Sequence, residues 1–270
     1  MIRLVALDLD GTLFGEDLVI PPASRAAIAA AQARGVHVTL ATGRMFCSTL
    51  PHAQALGITT PLICYQGALI RDPVRGATLW HRPVPRDLAL QVLALLQGQG
   101  LYPHVYLDDH LYVDAINPGT EFYARLNDGI LIHPVGDVAA WVRIHGAPTK
   151  VDVVLPTEPD ADALVAQLRS RFGDQLYATK SYPLFAEVIH PTCDKGVALA
   201  ALAAHLGIAQ AETLAVGDGE NDLPMLQWAG VGIAMGQAPP RVRAGAAYVT
   251  GPLAADGLAA ALDRFVLQAS

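Results

Sequence analysis

The chain opens on an apolar run over residues 2–7, interrupted only by Arg3, that breaks into Asp8-Leu9-Asp10-Gly11-Thr12. Leu4, Val5, Ala6 and Leu7 show no polar alternation, which predicts a strand buried on both faces. Residues 22–34 are rich in alanine, follow Pro21-Pro22 and stop at Gly35, the start and stop signals of a helix. A second apolar strand over residues 36–41 ends in Thr42-Gly43-Arg44, another helix leads to Gly57, and a third strand over 61–65 ends at Gln66-Gly67-Ala68. Strands that alternate with helices of this length predict a parallel sheet with helical crossovers.

From about Pro83 the pattern changes. Residues 86–99 read as a helix, followed by short apolar runs at 102–107 and 110–113 with Asp108-Asp109 between them, a hairpin signal. A strand at 149–155, a helix at 159–172 and strands at 175–179 and 184–189 follow, so this stretch reads as α+β with partly antiparallel pairing. The parallel alternation resumes after Pro191, with helices at 195–206 and 222–228 and strands at 213–216, 232–235 and 247–250. The predicted fold class is therefore α/β: a Rossmann-like parallel-sheet core with helices on both faces, formed by residues 1–83 and 191–270. An α+β domain is expected at 84–190. No internal repeat or low-complexity segment is visible.

Composition narrows the function classes. The 270 residues are 52% hydrophobic and 16% charged, as expected of a globular chain long enough for a large core. The formal charge of −7 and the lack of a Lys/Arg cluster argue against nucleic acid as a partner. Only Lys150, Lys180 and Lys195 are lysines, so each calls for an explanation. Cys47, Cys64 and Cys193 are odd in number and widely spaced, which points to reduced thiols and a cytoplasmic setting. The N-terminus enters a strand with no signal-peptide pattern, and no uncharged apolar run is long enough to span a bilayer.

Carboxylates at Asp8 and Asp10, at the end of a buried strand, are costly unless a cation or hydrogen bonds compensate. An Asp-rich turn is the plain alternative. Three further stretches change the balance: Thr42-Gly43-Arg44, Lys195-Gly196 at a helix start, and Gly217-Asp218-Gly219-Glu220-Asn221-Asp222. In open parallel sheets ligands bind at the carboxyl ends of the strands, and four such ends carry groups suited to phosphate and a hard cation. For Asp218 and Asp222 taken alone, helix capping would suffice.

These four segments, in this order, resemble the signature motifs of the haloacid dehalogenase (HAD) superfamily. The inserted middle domain resembles the cap of its Cof-type subgroup of sugar-phosphate and nucleotide phosphatases, and the likeness covers essentially the full length. The resemblance implies that Asp8 attacks phosphorus to form an aspartyl-phosphate. It implies that Asp8, Asp218 and the backbone carbonyl of Asp10 hold Mg²⁺, a cation that prefers few carboxylates and retained waters. Asp222 would orient those waters or support Asp218, with Asn221 beside it. Asp10 would protonate the leaving alcohol and then activate water. Thr42 and Lys195 would contact the transferring group, with further phosphate contacts from the Leu9 loop amides, Gly43, Arg44 and Asn221.

Two positions depart from the usual family pattern. Gln66 stands where Asn before Gly-Ala is common, and Gln237 where Asn follows Met-Gly; each keeps the amide and adds a methylene. The expected reaction is Mg²⁺-dependent hydrolysis of small phosphorylated metabolites, sugar phosphates or related phosphomonoesters. A phosphomutase, or a non-catalytic Mg²⁺ and phosphate-binding regulator, is the rival reading. Substrate choice is expected from the cap, with Lys150, Lys180, Ser181 and Tyr182 as candidate contacts at strand ends. No nucleic acid or membrane partner is expected, and the chain is expected to be a monomer or a weak homodimer. The Gly230–Gly236 glycines bracket a strand instead of opening a helix, which argues against a dinucleotide loop.

Overall fold

The computed structural model describes residues 1–127 and 130–268. Among them the chain begins with β1 (Leu4–Leu7), α1 (Pro22–Ala33), β2 (His37–Leu40), α2 (Phe46–Ala55), β3 (Leu62–Cys64), β4 (Leu69–Arg71) and β5 (Thr78–His81). It continues through α3 (Arg86–Gly98), β6 (His104–Leu107), β7 (His110–Val113), α4 (Pro118–Leu126), β8 (Ile132–Pro134) and α5 (Val138–His145). Next come β9 (Lys150–Val154), α6 (Glu158–Phe172), β10 (Tyr177–Thr179) and β11 (Phe185–Ile189). The last elements are α7 (Lys195–His205), β12 (Thr213–Gly217), α8 (Leu223–Trp228), β13 (Val231–Ala234), α9 (Pro240–Gly245), β14 (Tyr248–Val249) and α10 (Gly257–Leu262).

Two compact units divide the chain: residues 1–43, 49–79 and 194–270 form one, and residues 44–48 with 80–193 form the other. The second therefore includes five residues, Arg44–Ser48, that lie far from the rest of it in sequence. No described helix is long and apolar enough to cross a membrane.

In the first unit a parallel sheet runs in the order β14-β13-β12-β1-β2. All four residues of β1 are buried, as a strand covered on both faces requires. Right-handed crossovers to β2 on one side and from β12 to β13 on the other place α1 and α8 on opposite faces. The packing agrees: α1 lies against α10, and α7 against α8. The strand order reverses at β1, so its carboxyl end is the place where such sheets bind ligands. One detail differs from the sequence-based expectation. β3 joins the parallel sheet through a single bridge, Ala41 to Ile63, and pairs along its length with antiparallel β4, because the chain turns back within three residues of β3.

The second unit is built on a six-stranded sheet, β10-β11-β9-β6-β7-β8. The β6–β7 turn places Asp108 and Asp109 at φ 52° and 63°, the left-handed pair of a two-residue hairpin turn. Alternation along the strands gives the sheet two unlike faces. Val105, Val151, Val153, Ala186 and Val188 join buried residues of α3, α5 and α6 in one apolar core. The intervening positions, His104, Tyr106, Lys150, Asp152 and Glu187, point the other way and are also buried.

Candidate active site

β1 delivers Asp8 directly past its last residue, 5% exposed, with its N–H donating to the Val216 carbonyl. The chain then curls tightly: the N–H groups of Thr12, Leu13 and Phe14 converge on the Leu9 carbonyl at 3.2, 2.8 and 3.2 Å. Gly11 has a φ of 86°, and a Cβ there would lie 2.2 Å from Asp218 Oδ2. Glycine thus serves both the turn and the close approach.

β12 brings in the opposing carboxylates. Asp222 Oδ2 accepts the N–H groups of Asp218 and Gly219, both at 2.9 Å, which orients the turn after the strand. Thr12 Oγ1 donates to Asp218 Oδ1 at 2.9 Å and ties the two strand ends together. Lys195, the first residue of α7, is completely buried. Its Nζ donates to Asp8 Oδ1 and to Asp222 Oδ1, each at 2.6 Å. The helix is started there by Asp194, whose side chain accepts the Val197 N–H.

From β2, Thr42 is buried, its N–H bonded to Ile63 and its carbonyl accepting from the Gln66 N–H. Gly43 closes that stretch of the first unit, whereas Arg44, also buried, belongs to the second. Asn221 is buried in the turn between Asp218 and Asp222, and its Nδ2 donates to Gln66 Oε1 at 3.0 Å.

Asp8, Asp218 and Asp222 offer oxygens that all lie within 4.8 Å of one another. Three carboxylates against the Lys195 ammonium leave negative charge unbalanced, and Asp10 adds to it. Burial, then the charge of Asp222, pushes the Asp8 carboxyl well above the usual range despite the pull of Lys195. The same two causes carry Asp218 up to about 7. For Lys195, burial works against the charged form, but Asp222 and Asp8 outweigh it and hold its proton firmly. Hard oxygen donors with excess negative charge fit a divalent cation such as Mg²⁺.

The profile of the haloacid dehalogenase-like hydrolases matches residues 5–262. The chain belongs to that family. Among relatives of this HAD-like hydrolase, a putative phosphatase of Streptococcus pyogenes is 29% identical over 98% of the chain and 99% of its own length. The HMP-PP phosphatase of Serratia proteamaculans is 32% identical, over 90% of the chain and 87% of its own length. The solved structure of the subclass IIB sugar phosphatase BT4131 superposes with a TM-score of 0.83 at 25% identity, covering 97% and 98% of the two chains.

The structure brings Asp8, Thr12, Lys195, Asp218 and Asp222 of this hydrolase into one hydrogen-bonded group. From the sequence Thr12 is expected only as one of the loop amides; its hydroxyl, which ties Asp218 to the loop, is not anticipated, although a hydroxyl after Asp-x-Asp-Gly at a strand end is a visible signal. The two glutamines that depart from the family pattern also bond to site loops. Gln237 donates from Nε2 to the Gly11 carbonyl at 2.5 Å and accepts the Leu253 N–H at 3.0 Å.

The four cap candidates separate. Lys150 Nζ lies 3.0 Å from both Asp152 and Glu187 and is 1% exposed. Lys180 is held by Glu158 and Asp162 of α6. Ser181 donates to Glu187 Oε1 at 2.5 Å, and the half-buried Tyr182 ring rests against Phe122 and Phe185.

Proposed function

We propose that this hydrolase is a Mg²⁺-dependent phosphatase of small phosphorylated metabolites, sugar phosphates or related phosphomonoesters, acting through an aspartyl-phosphate on Asp8. The observation that carries this reading is the Lys195 ammonium bridging Asp8 and Asp222 inside a cluster of three carboxylates. The bridge occupies one Asp8 oxygen and fixes the direction of the carboxylate, as a nucleophile needs.

Asp8, Asp218 and the Asp10 backbone carbonyl would hold Mg²⁺, which offsets the repulsion between carboxylate and phosphate when bound. An Asp8 oxygen forms the bond to phosphorus while the bond to the leaving oxygen breaks, and Asp10 gives that oxygen its proton. Asp10 then takes a proton from water as the water oxygen attacks phosphorus. Inorganic phosphate leaves and the Asp8 carboxylate is restored. A carboxylate at position 10 favours this second half, because it supplies a base for water.

Thr42, the amides of the Leu9 loop and Lys195 supply donors to the phosphoryl oxygens, with Gly43, Arg44 and Asn221 as further contacts. Substrate choice is assigned to the second unit. There, Tyr182 on the β10–β11 connection is the favoured contact, because the ammonium groups of Lys150 and Lys180 and the Ser181 hydroxyl are already engaged by carboxylates.

The test is phosphate release from p-nitrophenyl phosphate with Mg²⁺. Purified protein is expected to turn it over and to stop in EDTA. Asp8→Asn is expected to form no phosphoenzyme, and Asp10→Asn to form it slowly and break it down more slowly still. Turnover by the wild type that persists in EDTA, or in Asp8→Asn, refutes the reading.

A further inference from the structure

Tyr65, Gln66 and Gly67, at the carboxyl end of β3, are three consecutive residues with positive φ, 52°, 57° and 96°. Side chains are rarely tolerated there, and a residue held so inside a protein is over-determined by its surroundings. The surroundings of Gln66 are the site itself. It is 1% exposed, its N–H donates to the Thr42 carbonyl at 3.0 Å, and its Oε1 accepts Asn221 Nδ2 at 3.0 Å. A Cβ on the adjacent Gly67 would lie 2.3 Å from the carbonyl of Asp194, the residue that precedes Lys195. One left-handed turn therefore meets the segments that carry Thr42, Asn221 and Lys195.

We propose that Gln66 is a positioning residue for the reaction, holding Thr42 through its backbone and Asn221 through its side chain without touching the reacting atoms. The proposal rests on the phosphatase reading above. Packing alone does not account for a long amide at this place. Asparagine would suit a left-handed backbone better, but its amide stops one methylene short. That shortfall exceeds what a 3.0 Å hydrogen bond tolerates without a backbone shift. The added methylene is what reaches Asn221, and Asn221 lies in the turn that Asp222 closes by accepting the N–H groups of Asp218 and Gly219.

The experiment compares wild type, Gln66→Met, Gln66→Asn, Asn221→Ala and Gln66→Met/Asn221→Ala, using p-nitrophenyl phosphate with Mg²⁺. Gln66→Met conserves volume and removes the acceptor. It is expected to lower kcat about tenfold with KM within about twofold, the loss of one oriented hydrogen bond. Gln66→Asn is expected to lose a similar factor. The double variant should be no slower than Asn221→Ala, because both act through one contact.

A wild-type kcat in Gln66→Met or Gln66→Asn overturns the proposal, as do effects that multiply in the double variant. Thermal melts of the same proteins separate a structural role: if the lost rate equals the unfolded fraction, the proposal fails. An inactive wild type fails the phosphatase reading itself, whereas an active wild type with indifferent Gln66 variants fails only this one.

Discussion

Replacing Lys150 by methionine tests whether the charged face of the second unit's sheet is a structural cluster or a ligand contact. Lys150 Nζ is 3.0 Å from Asp152 Oδ2 and 3.0 Å from Glu187 Oε1, and 4.5 Å from the centre of the Tyr106 ring. Tyr106 also donates to Asp152 Oδ2 at 2.7 Å, and His104 Nδ1 lies 3.0 Å from Asp152 Oδ1. The lysine is 1% exposed, so water neither screens the pairs nor replaces them. Methionine fills similar volume and leaves two buried carboxylates without their ammonium. Breaking a buried pair in this way costs about 3–5 kcal/mol. Two charge-assisted hydrogen bonds at about 1.5–3 kcal/mol each give an overlapping range of about 3–6 kcal/mol.

For a unit of roughly 120 residues that corresponds to a melting temperature lower by about 12–20 °C. The pH dependence has a definite sign. Burial alone would raise the Asp152 carboxyl, but Lys150, then His104 and Tyr106, outweigh it and leave the carboxyl below the usual range. A carboxyl depressed by folding contributes stability above its unfolded value of about 3.9 and loses it as pH falls through the lower folded value. Without Lys150 burial is less opposed, the carboxyl rises, and the variant recovers relative to wild type on acidification. Urea unfolding monitored by circular dichroism at pH 7 and near pH 4.5 should therefore show a gap that narrows at the lower pH. A loss below about 1 kcal/mol at pH 7, the scale of an exposed pair, refutes the reasoning. So does a gap that does not change with pH, or a raised KM in a variant with wild-type stability.

Two other outcomes are expected. Cys47 is exposed, yet partial desolvation and the neighbouring Asp109 push its thiol up to about 12, so its thiolate fraction at pH 8 is only about one in ten thousand. Iodoacetamide should label it at least about tenfold more slowly than a free thiol, because the thiolate fraction falls faster than its nucleophilicity rises; Asp109→Asn should speed the labelling, and labelling at the ordinary rate would contradict the assignment. Gly11→Ala places a Cβ against the Asp218 carboxylate at a φ of 86°, so kcat on p-nitrophenyl phosphate should fall at least about a hundredfold. An unchanged kcat would show that the Asp218 position is not restricted by this loop.

Much of the fold was legible because burial imposes simple patterns. The uninterrupted Leu4–Leu7 run marks a strand covered on both faces, and the Pro22 and Lys195 helix starts carry their signals locally. The segment 114–148 was passed over although α4 and α5 are capped by Asn117 and Asp137. Both helices are amphipathic but only nine and eight residues long, so the apolar stripe repeats too few times to stand out and the capping residues are the clearest local signal. The β3–β4 reversal was missed for another reason: Tyr65 and Gln66 take a left-handed backbone that nothing in their residue types suggests.

By itself the sequence determined the strand and helix alternation around β1, β2, β12 and β13, the four polar segments and the kinds of groups they carry, because hydrophobic periodicity and turn chemistry act over a few residues. Tertiary structure alone decided which charges are buried and what each meets. Lys150 read as one of three scarce lysines at a strand end, but its burial depends on Glu187, 37 positions away. Lys195 reaches Asp8 across 187 positions. Asn221 finds Gln66 across 155. Whether a charge or an amide is stable in the interior depends on partners that only the folded chain brings within 3 Å, and no local pattern encodes their distance.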